Sequence, residues 1–187
     1  METSGKGQYL FGFEESYGCL IGTHARDKDA IVASMALCEA AAYYKTQGKT
    51  LWDAMIEMYE QFGYYKDDIK AVTMKGIEGL QKIQDIMNSL RQNPPAEFAG
   101  HKVVAVRDYK ADTIKNLETG EVTPTGLPNS NVLYYELTND AWVCVRPSGT
   151  EPKVKFYYGV KGTSLADADE KSAVMGKAVL DMVDSMM

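Results

Sequence analysis

The stretch Val132-Leu133-Tyr134-Tyr135-Glu136-Leu137-Thr138 runs into Asn139-Asp140, and Ala141-Trp142-Val143-Cys144-Val145 follows. Two runs rich in β-branched and aromatic residues, joined by two turn formers, predict a tight antiparallel hairpin. The chain then passes through Arg146-Pro147-Ser148-Gly149-Thr150-Glu151-Pro152 and enters a third run, 153–160. There Val154, Phe156, Tyr158 and Val160 alternate with Lys153, Lys155 and Tyr157, the pattern of a strand with one face on a core.

Beyond this run, Ser164 starts a final helix, with Met175, Val179, Met182 and Met186 spaced for one face. Before the hairpin, residues 112–131 are rich in Gly, Pro, Thr and Asn. They predict a long connection with a small hairpin around Glu118-Thr119-Gly120. The valine run in 101–107 reads as a strand. Residues 77–90 read as an amphipathic helix with Leu80, Ile83, Met87 and Leu90 on one stripe, ended by Gln92-Asn93-Pro94-Pro95. A short strand is expected over 71–74. The order β-α-β-(long loop)-β-β-β-α predicts an α+β domain, an antiparallel sheet of four to five strands backed by two helices.

The first third has a different texture. A helix over 27–45 is expected, N-capped by Asp27 and closed by Gly48. Ile31, Val32, Met35, Ala36, Leu37, Ala40 and Ala41 nearly encircle it, which predicts a buried helix. Thr50 caps a second helix, 51–62, with Leu51, Met55, Met58, Tyr59 and Phe62 on one side. Gln8-Tyr9-Leu10-Phe11-Gly12-Phe13 reads as buried strand only a few residues into the chain, so the sequence is expected to begin within a domain. The expected division is 1–66, a mostly helical remnant of an α/β domain, and 67–187, a complete α+β domain.

Bulk properties narrow the function. A net charge of -6 opposes a general nucleic-acid or anionic-membrane binder, without excluding a small basic pocket. No run approaches the ~20 apolar residues of a membrane span. Cys19, Cys38 and Cys144 lack metal spacing and read as reduced, mostly buried thiols of a cytoplasmic protein. With only His24 and His101, a histidine metal site has little support. Trp52, Trp142 and the tyrosines are expected in the core or at its rim.

The segment from Arg146 to Pro152 carries the chemistry. Pro147 and Pro152 stiffen its ends. Ser148 and Thr150 offer hydroxyls, Gly149 lets backbone N–H groups approach an anion, and Arg146 is a charged fork suited to phosphate oxygens. On composition the same segment also reads as an ordinary Pro/Ser/Gly turn. Glu14-Glu15-Ser16 would repel a phosphate but suits sugar hydroxyls, and it too reads as a common loop. Arg26 and Lys28, close in sequence to the Glu14 loop, read first as surface charges at a helix start and second as groups facing the cleft.

The Arg-Pro-Ser-Gly-Thr-Glu-Pro string, followed by an alternating strand, resembles the phosphate-binding loop of the last domain of the α-D-phosphohexomutases. Gly12-Phe13-Glu14-Glu15-Ser16 resembles the sugar loop of their third domain, in its phosphoglucomutase form. The resemblance implies that Arg146, Ser148, Gly149 and Thr150 hold the non-reacting phosphate of a phosphosugar, and that Glu14 and Ser16 hold sugar hydroxyls. Tyr17-Gly18 replaces the Gly-His of many relatives and leaves the sugar open, glucose, mannose or pentose. The family's phosphoserine loop, of Ser-His-Asn type, and its Asp-x-Asp-x-Asp magnesium site have no counterpart here. The expectation is therefore a C-terminal part without catalytic or metal residues. It would be inactive alone and completed by the N-terminal domains, with Mg2+ and a glucose 1,6-bisphosphate activator belonging to the parent enzyme. The alternatives are a phosphopentomutase-type relative, a non-enzymatic phosphate-binding or interaction module, and, last, a nucleic-acid module on the open sheet.

Overall fold

A computed structural model describes residues 7–14, 17–74, 76–149 and 151–186. The chain divides into two units, residues 1–61 and 62–187.

In the first unit, β1 (Phe11–Phe13) and β2 (Cys19–Ile21) form an antiparallel pair, with Phe13 opposite Cys19. Helix α1 spans Ala30–Thr46, and α2 spans Leu51–Phe62. The cap of α1 is Asp29 and not the expected Asp27. Asp29 Oδ1 accepts from the N–H groups of Ile31 (2.9 Å) and Val32 (3.1 Å), whereas the carboxylate of Asp27 is taken by Lys28. At its other end Lys49 N–H donates to Tyr44 O and Gly48 N–H to Lys45 O, the paired bonds that close a helix on a left-handed residue. Thr50 caps α2 as expected. Its Oγ1 accepts from Asp53 N–H, and the Asp53 carboxylate accepts from Thr50 N–H in return.

The expected burial of this unit is overturned. No described residue of α1 is buried; Ile31 is 74% exposed and Met35 67%. Leu10, Phe11 and Phe13 of the expected buried strand also face solvent, as does Trp52. Apolar character on every side needs cover on more than one side, and within this unit the two-stranded β1–β2 pair is the only sheet described. Cys38, on α1, is exposed for the same reason, against the expectation of a buried thiol.

The second unit is a two-layer α+β domain. Its strands are β3 (Tyr64–Thr73), β4 (Glu97–Phe98), β5 (His101–Asp108), β6 (Thr113–Asn116), β7 (Val122–Thr123), β8 (Leu133–Leu137), β9 (Trp142–Pro147) and β10 (Lys153–Gly162). They form one antiparallel sheet in the order β3-β10-β9-β8-β5-β6-β7, with β4 beside β5. Five are long strands. The three short ones are the small β6–β7 hairpin of the long connection and β4. Helices α3 (Gly76–Gln92) and α4 (Leu165–Asp184) cover one face.

The β8–β9 turn is the predicted one. Asn139 (φ 63°) and Asp140 (φ 58°) both sit in the left-handed region, as a two-residue turn matching strand twist requires. β3 is ten residues long where a short strand over 71–74 was expected. Lys66, Asp67, Asp68 and Lys70 break the apolar alternation, because β3 is an edge strand and charge there discourages pairing with other chains.

The core lies between the sheet and its two helices. Leu133, Tyr135, Val143, Val145, Val154, Phe156 and Tyr158 from the sheet meet Ile83, Met87 and Leu90 of α3 and Met175, Val179 and Val183 of α4. Leu80, expected on the α3 stripe, is 52% exposed; Ile86 is buried in its stead, continuing the stripe of Ile83, Met87 and Leu90. The other sheet face carries Trp142 of β9 against Gly159 of β10. A Cβ at Gly159 would lie 2.2 Å from the indole Nε1, so only glycine lets the ring settle there.

Candidate functional site

The phosphate-type loop hangs between β9 and β10, whose register pairs Pro147 with Val154 and Arg146 with Lys155. Val143 and Val145 are buried, so the strand period puts Trp142, Cys144 and Arg146 on the face away from the helices. The guanidinium is thus strand-borne and exposed, with Lys155 directly across. The loop itself is closed by backbone. Ser148 N–H donates to Lys153 O (2.7 Å), and Lys153 N–H donates to Glu151 O (2.7 Å). Ser148 Oγ accepts from Glu151 N–H at 3.3 Å. Beyond the loop, Pro152 O accepts from Met74 N–H (2.8 Å), tying its far end to the end of β3. No neighbour lies within 4 Å of the place a Gly149 Cβ would occupy, and its φ needs no glycine, so the residue leaves open space above the loop.

The local charge is divided. Lys153 Nζ sits 2.9 Å from Glu151 Oε2, and Lys153, first by hydrogen bond, holds that carboxyl below its ordinary range. Arg146 and Lys155 carry the positive field the loop presents. Cys144, beside them on the same face, is no nucleophile, because burial pushes its thiol up to about 11. Arg146, Ser148 and Gly149 are therefore brought together; Thr150 lies outside the described residues.

In the first unit, Glu14 leaves the end of β1, and its N–H donates to Gly18 O (2.9 Å), closing a short loop. Ser16, with Glu15, lies outside the described residues. Glu14 lines a concavity of about 210 Å³ together with Tyr9, Arg26, Asp27 and Lys28. Lys28 Nζ reaches Glu14 Oε1 at 3.4 Å and Asp27 Oδ1 at 2.9 Å; Asp27 first, then Glu14, holds the ammonium above its ordinary range. A Cβ at Gly18 would fall 2.3 Å from Lys28 Cδ, so that glycine is what lets the lysine stem cross to Glu14. The first reading of Lys28, as a surface charge, missed this. The strand register that sets Glu14 and Gly18 beside it is not visible in one sequence.

Among the described residues no group of three or more His, Cys, Asp and Glu side chains stands together to hold a metal. The described residues do not fit a magnesium site. No described helix is long and apolar enough to cross a membrane.

An antiparallel sheet under two helices, with the loop of Arg146 to Pro152 joining two neighbouring strands, makes the C-terminal unit a two-layer α+β domain. Comparison with known proteins is more specific. Residues 1–62 match the family model "Phosphoglucomutase/phosphomannomutase, alpha/beta/alpha domain III", and residues 86–176 match "Phosphoglucomutase/phosphomannomutase, C-terminal domain". Together these matches take in most of the chain, which belongs to the phosphoglucomutase/phosphomannomutase family. It is 38% identical over 166 residues to a phosphoglucomutase of Staphylococcus aureus (strain bovine RF122 / ET3-1), and 37% identical to that of strain MSSA476. Each alignment covers 89% of this chain and 30% of the relative, so the chain spans less than a third of the length of these relatives. The fold is similar to that of the exocytosis-sensitive phosphoprotein pp63/parafusin (phosphoglucomutase) of Paramecium in its open form. The TM-score is 0.55 at 15% identity, over 92% of this chain and 29% of that one.

Proposed function

We propose that this chain is the substrate-holding C-terminal portion of a cytoplasmic phosphoglucomutase/phosphomannomutase, an intramolecular phosphotransferase that interconverts sugar 1- and 6-phosphates. Residues 1–66 are the end of its third domain and 67–187 its fourth. Arg146, Ser148, Gly149 and Thr150 hold the phosphate that is not reacting; Glu14 and Ser16 hold sugar hydroxyls. The phosphoserine, the magnesium ion and its ligands belong to the N-terminal domains, and a glucose 1,6-bisphosphate-type activator serves the whole enzyme.

The observation that carries this reading is the Arg146 loop. A guanidinium fixed by strand register, a lysine across from it and open space above Gly149 make a cradle for a dianion. The chain's contribution is positioning. Arg146 grips two phosphate oxygens at once, on a loop whose backbone is already closed by its own hydrogen bonds. Glu14, as a carboxylate, accepts from sugar hydroxyls, with Lys28 Nζ 3.4 Å from its Oε1.

Calorimetric titration of the chain with glucose 1,6-bisphosphate tests this. Wild type is expected to bind at up to millimolar strength and Arg146→Ala to lose measurable binding, at least about tenfold. Equal affinity of the two proteins would reduce the loop to an ordinary turn.

A further inference from the structure

Residues 22–29 form the segment that carries Arg26 and Lys28 to the Glu14 concavity. Its ends are pinned by backbone: Gly22 N–H donates to Leu10 O (3.1 Å), and Asp29 N–H donates to Cys19 O (3.0 Å). Between these pins a side-chain bond folds the segment on itself, from His24 Nε2 to Asp29 Oδ2 at 2.9 Å. Asp29 spends its other oxygen, Oδ1, on the first turn of α1. One carboxylate therefore joins the helix start to the middle of the segment. Its ionised form only accepts, so Nε2 carries the hydrogen and donates it.

We propose that His24 is a positioning residue: it ties Asp29 and closes residues 24–29 into a ring that holds Lys28 against Glu14. Lys28 precedes Asp29, whose N–H and Oδ1 keep their bonds without His24; the His24 bond adds a fixed course for residues 24–28, from which the lysine stem rises. The long, flexible stem has many other rotamers, and a fixed root limits how many must be lost when Nζ meets Glu14. The importance of this ring for ligand binding rests on the reading of the Glu14 loop as a sugar contact; the ring itself does not.

The test compares wild type, His24→Ala and His24→Gln by 15N relaxation. Glutamine keeps an N–H donor at similar reach, and alanine removes it. Order parameters over residues 23–28 are expected near about 0.85 in wild type, below about 0.6 in His24→Ala, and restored in His24→Gln. A segment that stays rigid in His24→Ala overturns the proposal. So does His24→Gln protein that keeps helices α1 and α2 but leaves the segment mobile. The second variant also decides the matter if His24→Ala disturbs the fold of the unit. The same samples, titrated with glucose 1,6-bisphosphate, are expected to show binding weakened about fivefold in His24→Ala and recovered in His24→Gln. Absence of binding in wild type would defeat the sugar-phosphate reading while leaving the ring to be judged by the relaxation data alone.

Discussion

Lys153 is drawn away from the anion loop by its neighbour. Its ammonium lies against Glu151, two residues back, so the loop offers less positive charge than its three basic residues would provide. Removing the carboxylate should release it. Glu151→Gln is expected to tighten inorganic phosphate binding about threefold at low salt, with the gain shrinking as salt rises; calorimetry at two ionic strengths measures both. Unchanged affinity would mean that Lys153 does not reach the ligand. The loop's candidate residues could be named at this scale because they are contiguous in sequence, from Arg146 to Glu151. A place for Lys28 beside the Glu14 loop was only the second reading of the sequence, because its partner is fourteen positions away and its path depends on Gly18 leaving room for the stem.

At the scale of elements, periodicity was a sound guide wherever a single face was buried. The Asn139–Asp140 hairpin, α3 and α4 lie where the pattern put them to within a few residues, and so does α2, although none of its residues is buried. It failed for β3, where edge position replaced apolar residues with charge. It also misplaced the start of α1, since Asp27 and Asp29 compete for one role and only the hydrogen bonds decide. The start of α4 shows such a choice made decisively. Ser164 Oγ accepts from Asp167 N–H, and the Asp167 carboxylate accepts from Thr163 N–H (2.7 Å) and from Lys171 (2.8 Å). Lys171 first, then the Thr163 amide, lowers that carboxyl from 3.8 to about 2. The folded value lies below the unfolded one, so this stabilisation is whole above about pH 4 and is lost as pH falls through about 2. Thermal melts from pH 7 to pH 2 should show Asp167→Asn less stable than wild type at neutral pH, with the gap closing toward pH 2. A constant gap would assign the effect to something other than the carboxylate's charge.

At the scale of the molecule the two units differ in how much of themselves they cover. The second holds a core in which Phe156, Tyr135 and Met175 are fully enclosed; the first leaves Ile31, Met35, Leu37, Trp52 and Met58 in the open. Composition predicted burial for both, because a sequence records that a helix is apolar but not which layer lies over it. Apolar exposure on this scale marks an interaction surface. The chain is expected to self-associate with rising concentration in sedimentation velocity, whereas residues 62–187 expressed alone should fold, melt cooperatively and stay monomeric. Association that persists in the shorter protein would move the sticky surface to the second unit.

The placement of Arg146 on a strand also bears on which insertions and deletions the protein tolerates. A residue added or lost between Ser148 and Glu151 leaves the strand faces as they are but disturbs the loop proposed to hold the phosphate. A residue added or lost between Trp142 and Val145 reverses the faces of everything after it, sending the guanidinium toward the helices and a valine into water. Descendants of this sequence can change the length of β9 only in pairs of residues if the guanidinium is to keep its face.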